Sequence, residues 1–96
     1  MKHLQQRIYA NKVAKGFNTS DIYMEFCYAH GELSEAFEAY AKKRGNVGEE
    51  LADVAIYLLG LAEILGIDLE DEILRKIEVN ERREFAVVDG VLTRIG

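Results

Sequence analysis

The chain has no proline, a single cysteine, no block of basic residues and no apolar run long enough to span a bilayer. Each absence excludes something. Without proline, and with Ala, Leu, Glu, Lys and Arg abundant, the sequence favours an all-helical fold. One cysteine, Cys27, rules out an intramolecular disulfide and fits a reducing cytoplasm. With no partner at ligand spacing, Cys27 reads as a small core residue. The net charge of −5 without clustered Lys or Arg argues against duplex nucleic acid as a partner. Val54 to Leu65 is the longest apolar stretch, too short for a membrane span and interrupted by Glu63. Met1 to Ala10 lacks the apolar run of a signal peptide. The expectation is one cytoplasmic domain over residues 1–96, with no membrane association.

What the chain does have is carboxylates in pairs. Glu32 and Glu35 are three residues apart, and so are Glu50 and Asp53. Residues three apart share a helix face. Each pair lies among apolar residues (Leu33, Ala36 and Phe37; Leu51, Val54 and Ala55). Carboxylates beside a buried stripe are expensive unless neutralised, and four of them suit Mg2+, or Mn2+, far better than Zn2+.

Apolar spacing and caps predict four helices. The first covers about Lys2 to Lys15 and ends at Gly16, followed by a short loop with Phe17. The second runs from about Asp21, capped by Ser20 or Thr19, to Tyr40 or Lys43 on a stripe of Ile22, Phe26, Ala29, Leu33, Ala36, Phe37 and Tyr40. The third runs from Val47 or Gly48 to Leu65 and is apolar on nearly all sides. Such a helix is surrounded by protein. One small subunit can hardly supply every neighbour, so a homo-oligomer is expected with this helix near its centre. The fourth, capped by Asp68, extends to Arg83 or Phe85. After it, Val87-Val88-Asp89-Gly90-Val91-Leu92 carries a turn signal between β-branched runs, either a small hairpin or a docking tail.

Helix arithmetic sets a condition on the paired carboxylates. In a simple antiparallel hairpin, Glu32 and Glu35 lie farther from the turn than Glu50 and Asp53, by on the order of 8 Å at 1.5 Å per residue. A shared ion therefore requires the second helix to stop early after Tyr40, or the two helices to cross with an offset.

The fourth helix adds Lys76, Asn80 and Arg83 at spacings of four and three. Two cations and an amide in a row suit a polyphosphate, with Arg83 offering a bidentate fork. On its own the triplet equally suits a solvated face salted by Glu72, Glu78, Glu81 and Glu84.

Taken in order, Glu32-Leu33-Ser34-Glu35-Ala36, then Glu49-Glu50-Leu51-Ala52-Asp53-Val54, then Gly66-Ile67-Asp68-Leu69-Glu70 and the Lys76/Asn80/Arg83 triplet resemble the MazG-like branch of the all-α nucleoside triphosphate pyrophosphohydrolases. The likeness covers about residues 4 to 85. It implies a four-helix arrangement assembled as a dimer or a dimer of dimers. It also implies Mg2+ on Glu32, Glu35, Glu50 and Asp53, and substrate phosphates on Lys76, Asn80 and Arg83. The implied reaction is hydrolysis of a (deoxy)nucleoside triphosphate to the monophosphate and pyrophosphate, a nucleotide-pool housecleaning role. Glu35 and Glu38 are both candidates to take the proton of the attacking water, and the sequence does not choose between them. Phe17 is the best single candidate to stack on the base, ahead of Tyr9, Tyr23 and Phe26. One departure is visible: Gly31 precedes Glu32 where many family members carry a second glutamate. Competing expectations are a phosphoribosyl-ATP or dUTP pyrophosphohydrolase of the same superfamily, and a non-catalytic nucleotide-sensing oligomer.

Overall fold

A computed structural model describes residues 1–96. Helices α1 (Lys2–Lys15), α2 (Ile22–Ala41), α3 (Val47–Ile64) and α4 (Leu69–Arg82) are followed by strands β1 (Phe85–Val88) and β2 (Val91–Arg94). This is the four-helix, mainly helical fold expected, with the C-terminal segment resolved in favour of a hairpin. β1 and β2 pair antiparallel from Phe85 with Arg94 to Val88 with Val91. Asp89 and Gly90 both take positive φ, 51° and 78°, as a two-residue turn matched to strand twist requires. No helix is long and apolar enough to cross a membrane.

α3 is the centre. α2 and α1 both pack against it, and its Leu59, Gly60, Leu61 and Ala62 are buried. Gly60 sets the approach of α1: a Cβ there would stand 3.2 Å from Ile8 Cγ2. Gln5 then ties α1 to the end of α3. Its Nε2 donates to Glu63 Oε2 at 3.1 Å and to the Ile67 carbonyl at 2.9 Å, and its Oε1 accepts from the Leu69 amide at 2.8 Å. Replacing a fully buried Gln5 by leucine strands an N–H and a C=O at once. The expected cost is about 2–4 kcal/mol in urea unfolding, and a loss below about 0.5 kcal/mol would show that water replaces the bonds.

The face that α2 turns inward differs from the one predicted. Glu25, Ala29, Ala36 and Ala39 are buried with Glu32 half-buried between them, whereas Phe26, Leu33, Phe37 and Tyr40 are exposed. Small side chains on the inward stripe let α2 lie close to α3, and the acidic residues share that stripe. The large apolar residues form a second stripe about 100° around the helix. Cys27 is likewise exposed rather than in the core, because it stands about 200° from Glu25 on the same helix. The cap of α2 is Asp21 itself, whose Oδ1 accepts from the Met24 amide at 3.1 Å. Ser20 and Thr19 are displaced from that role by an Asn18 turn, in which Asn18 Oδ1 accepts from the amides of Ser20 and Asp21.

α4 stands apart. It packs against none of the other helices to any extent, and Ile73, Leu74 and Ile77 on its apolar stripe are exposed. The chain is correspondingly drawn out, 54 × 35 × 23 Å with a radius of gyration of 17.1 Å, against about 13 Å for a compact chain of this length.

Candidate metal centre

α2 stops at Ala41. Lys43 takes a left-handed conformation (φ 54°), and the Arg44 amide bonds back to the Ala39 carbonyl at 2.9 Å. This early stop is one of the two ways the register condition can be met. Glu32 lies nine residues before the end of α2 and Asp53 six after the start of α3, leaving an offset of about 4.5 Å. Carboxylate oxygens of Glu32, Glu35 and Glu50 accordingly come within 4.8 Å of one another. Asp53 is exposed and outside that trio, yet near enough to act on Glu32 electrostatically.

Two features of the site are unbalanced without a cation. Burial, then the charges of Glu35, Asp53 and Glu50, push the Glu32 carboxyl above its ordinary value. In addition, Glu32 Oε2, Glu50 Oε2 and Asn46 Oδ1 are buried without a donor. Asn46, at the start of α3, also holds Glu50 by donating from Nδ2 to Oε1 at 3.2 Å. No periodic signal marks Asn46 in the sequence; only its position just before α3, four residues ahead of Glu50, points to it. Hard oxygen donors without hydrogen-bond partners fit a divalent ion such as Mg2+ or Mn2+.

Ionising Glu32 costs the folded chain more than the unfolded one. The folded chain therefore holds more protons from pH 4.5 up to the raised value, and stability falls as pH rises through that window. The Tm measured in EDTA is expected to fall there, a fall that Glu32→Gln abolishes. Added Mg2+ favours the carboxylate, so the Tm increase it produces should grow with pH. An increase independent of pH would separate Glu32 from the ion.

The remaining candidate residues lie in three places. Glu38 is exposed and pairs with Lys42 at 3.4 Å. Lys76 and Asn80 are exposed on α4, and Arg83 is its C-cap in extended conformation, its Nε buried without a partner. No hydrogen bond or ion pair joins these three to the acidic trio in the same chain. Phe17, presented by the left-handed Gly16 (φ 69°), lines an apolar cleft of about 650 Å3 between α1 and α3 with Leu4, Ile8, Ala55 and Tyr57. Tyr57 connects cleft and carboxylates: burial first, then Glu32 and Glu25, hold its phenol above the ordinary range. Space is open where a Cβ would stand on Gly31, so nothing steric explains the missing glutamate there.

The MazG-like family matches residues 27–89, a span containing both acidic pairs, Asn46 and the triplet of α4. The chain belongs to that family. Over 58 residues it is 39% identical to a protein of Cyanophage S-2L named dATP/dGTP diphosphohydrolase, a span that is 60% of this chain and 55% of that relative. The chain thus spans about half the length of the curated relative it matches. No solved structure matches it.

Proposed function

We propose that the protein is a nucleoside triphosphate pyrophosphohydrolase that forms a monophosphate and pyrophosphate in a divalent-metal-dependent reaction. The observation that carries this reading is the set of three buried, donorless oxygens on Glu32, Glu50 and Asn46 beside the clustered carboxylates. Family membership supports it, and the relative's name makes dATP and dGTP the first substrates to offer.

Glu32, Glu35, Glu50 and Asp53 would hold Mg2+, or Mn2+, which when bound neutralises phosphate charge and activates water. The chain's own groups do the rest. A carboxylate with an oxygen not used by the ion, Glu35 or Glu38, takes the proton of the water that attacks the α-phosphorus in line. Of these, Glu35 lies within the cluster, whereas Glu38 is committed to Lys42. Lys76, Asn80 and Arg83 hold the β- and γ-phosphates and stabilise charge on the departing pyrophosphate.

Lys76, Asn80 and Arg83 meet no carboxylate of their own chain, and the apolar stripe of α4 is uncovered. We therefore place its triplet in the site of a second subunit, within a homodimer or homotetramer that also covers the outer stripe of α2. Removal of non-standard or surplus nucleotides in the cytoplasm is the role that fits such an enzyme.

The test is a pyrophosphate-release assay over canonical and modified nucleoside triphosphates, with Mg2+ and with EDTA. Metal-dependent release of pyrophosphate together with the monophosphate is expected. Stabilisation by Mg2+ with no turnover of any nucleotide would replace the enzyme by a nucleotide-sensing module.

A further inference from the structure

Two helical turns along α2 from Glu32 lies a charged group that metal binding does not use. Lys12 of α1 and Glu25 of α2 form an ion pair with side chains only 10% and 1% exposed. Asn18 Nδ2 donates to the other carboxylate oxygen at 3.1 Å. The pair borders a cavity of about 210 Å3 walled by Phe17, Asn18, Tyr28 and Tyr57. The two tyrosine rings are 5.8 Å apart and tilted by 56°, and the Lys12 ammonium stands 5.3 Å from the centre of the Tyr57 ring. Lys12, Phe17, Asn18 and Glu25 all precede the segment matched to the family, so family membership assigns them nothing.

A buried ion pair is a poor stabiliser, since desolvation offsets most of its attraction. The hydrogen-bond inventory here is also lopsided. Each Glu25 oxygen has a donor, Lys12 on one and Asn18 on the other. An ammonium carries three N–H donors, and for Lys12 only Glu25 accepts one. Two donors at the cavity wall are left for a ligand, which must offer acceptors.

We propose that this cavity reads the nucleobase and that Lys12 selects a 6-oxopurine. The proposal rests on the nucleotide-hydrolase reading and names its substrate class. Guanine and hypoxanthine present two adjacent acceptors, O6 and N7, to a cationic donor. Adenine sets an amino donor beside N7 and so opposes donor to donor. Phe17, Tyr28 and Tyr57 supply faces for the flat ring. Glu25 and Glu32 are seven residues apart on one helix face, about 10 Å. That is comparable with the reach of a nucleoside from its 5′ oxygen to the far edge of its base.

The experiment compares kcat/KM with Mg2+ for dGTP, dITP, 7-deaza-dGTP and dATP, and measures dGMP and dAMP binding calorimetrically without metal. dGTP and dITP are expected to exceed dATP by roughly ten- to a hundredfold, with 7-deaza-dGTP between them, and dGMP to bind more tightly than dAMP. In the double variant Lys12→Met, Glu25→Gln, which removes both charges at nearly constant shape, the dGTP to dATP ratio should fall towards one. Equal kcat/KM for dGTP and dATP in the parent protein overturns the proposal. So does a ratio that survives in the folded double variant. If that variant does not fold, the parent ranking decides, and 7-deaza-dGTP matching dGTP while dATP keeps pace counts against Lys12. Absence of pyrophosphate release from every triphosphate is a failure of the hydrolase reading instead, and the dGMP to dAMP affinity ratio then tests the cavity alone.

Discussion

Glu50→Gln is expected to abolish pyrophosphate release while leaving the protein folded. Glu50 presents one oxygen to Asn46 and leaves the other buried without a donor. Glutamine can still accept from Asn46 Nδ2, and its amide brings a donor into a cluster rich in acceptors. In the metal-free protein the change removes like-charge repulsion from Glu32, so Tm should hold or rise slightly. Metal assistance contributes several kcal/mol at a phosphoryl centre, so losing a ligand should lower kcat by about three orders of magnitude. Two readouts are needed. The first is pyrophosphate release, and the second is the Tm increase produced by Mg2+, which should vanish with the activity. A Glu50→Gln protein that turns nucleotides over at the parent rate would refute the assignment.

The order of elements was legible because helix signals are local. Gly16 ends α1, Asp68 caps α4 and Asp89-Gly90 turns the hairpin, each through chemistry confined to a few residues. The partner of each face was less legible. α2 carries two stripes at helical spacing, and periodicity cannot say which one faces α3. Phe26, Leu33, Phe37 and Tyr40 have the greater hydrophobicity, but alanines at 29, 36 and 39 permit the closer approach. The acidic pairs could be read from spacing, whereas their meeting depended on where α2 stops. That stop comes at Ala41, turned by Lys43, a non-glycine residue in left-handed conformation, which composition does not flag. Gln5, Asn46, Lys12 and Glu25 were out of reach for a different reason. Their importance comes from partners between 4 and 64 residues away, and a polar side chain is recognised as buried only once those partners are in place.

Mixing two inactive variants is expected to restore activity. Arg83→Ala removes a cation from the proposed phosphate grip and should lower kcat by about a hundredfold. Glu50→Gln removes a proposed metal ligand from a different face of the chain. If α4 serves the carboxylates of a neighbouring subunit, a mixed dimer contains one site with both defects and one with neither. Random exchange makes half of the dimers mixed, so the mixture should recover about a quarter of parent activity. Neither variant alone approaches that figure. The arrangement follows from what α4 lacks in its own chain: no carboxylate meets Lys76, Asn80 or Arg83, no helix covers Ile73, Leu74 and Ile77, and Arg83 Nε is buried without an acceptor. A site formed within one chain gives the opposite result, because every subunit then keeps one defect whatever its partner, and the mixture stays as inactive as its components. Subunit exchange verified by native mass spectrometry, followed by the pyrophosphate assay, separates the two arrangements, and a failure to recover activity after confirmed exchange would return the triplet to its own subunit.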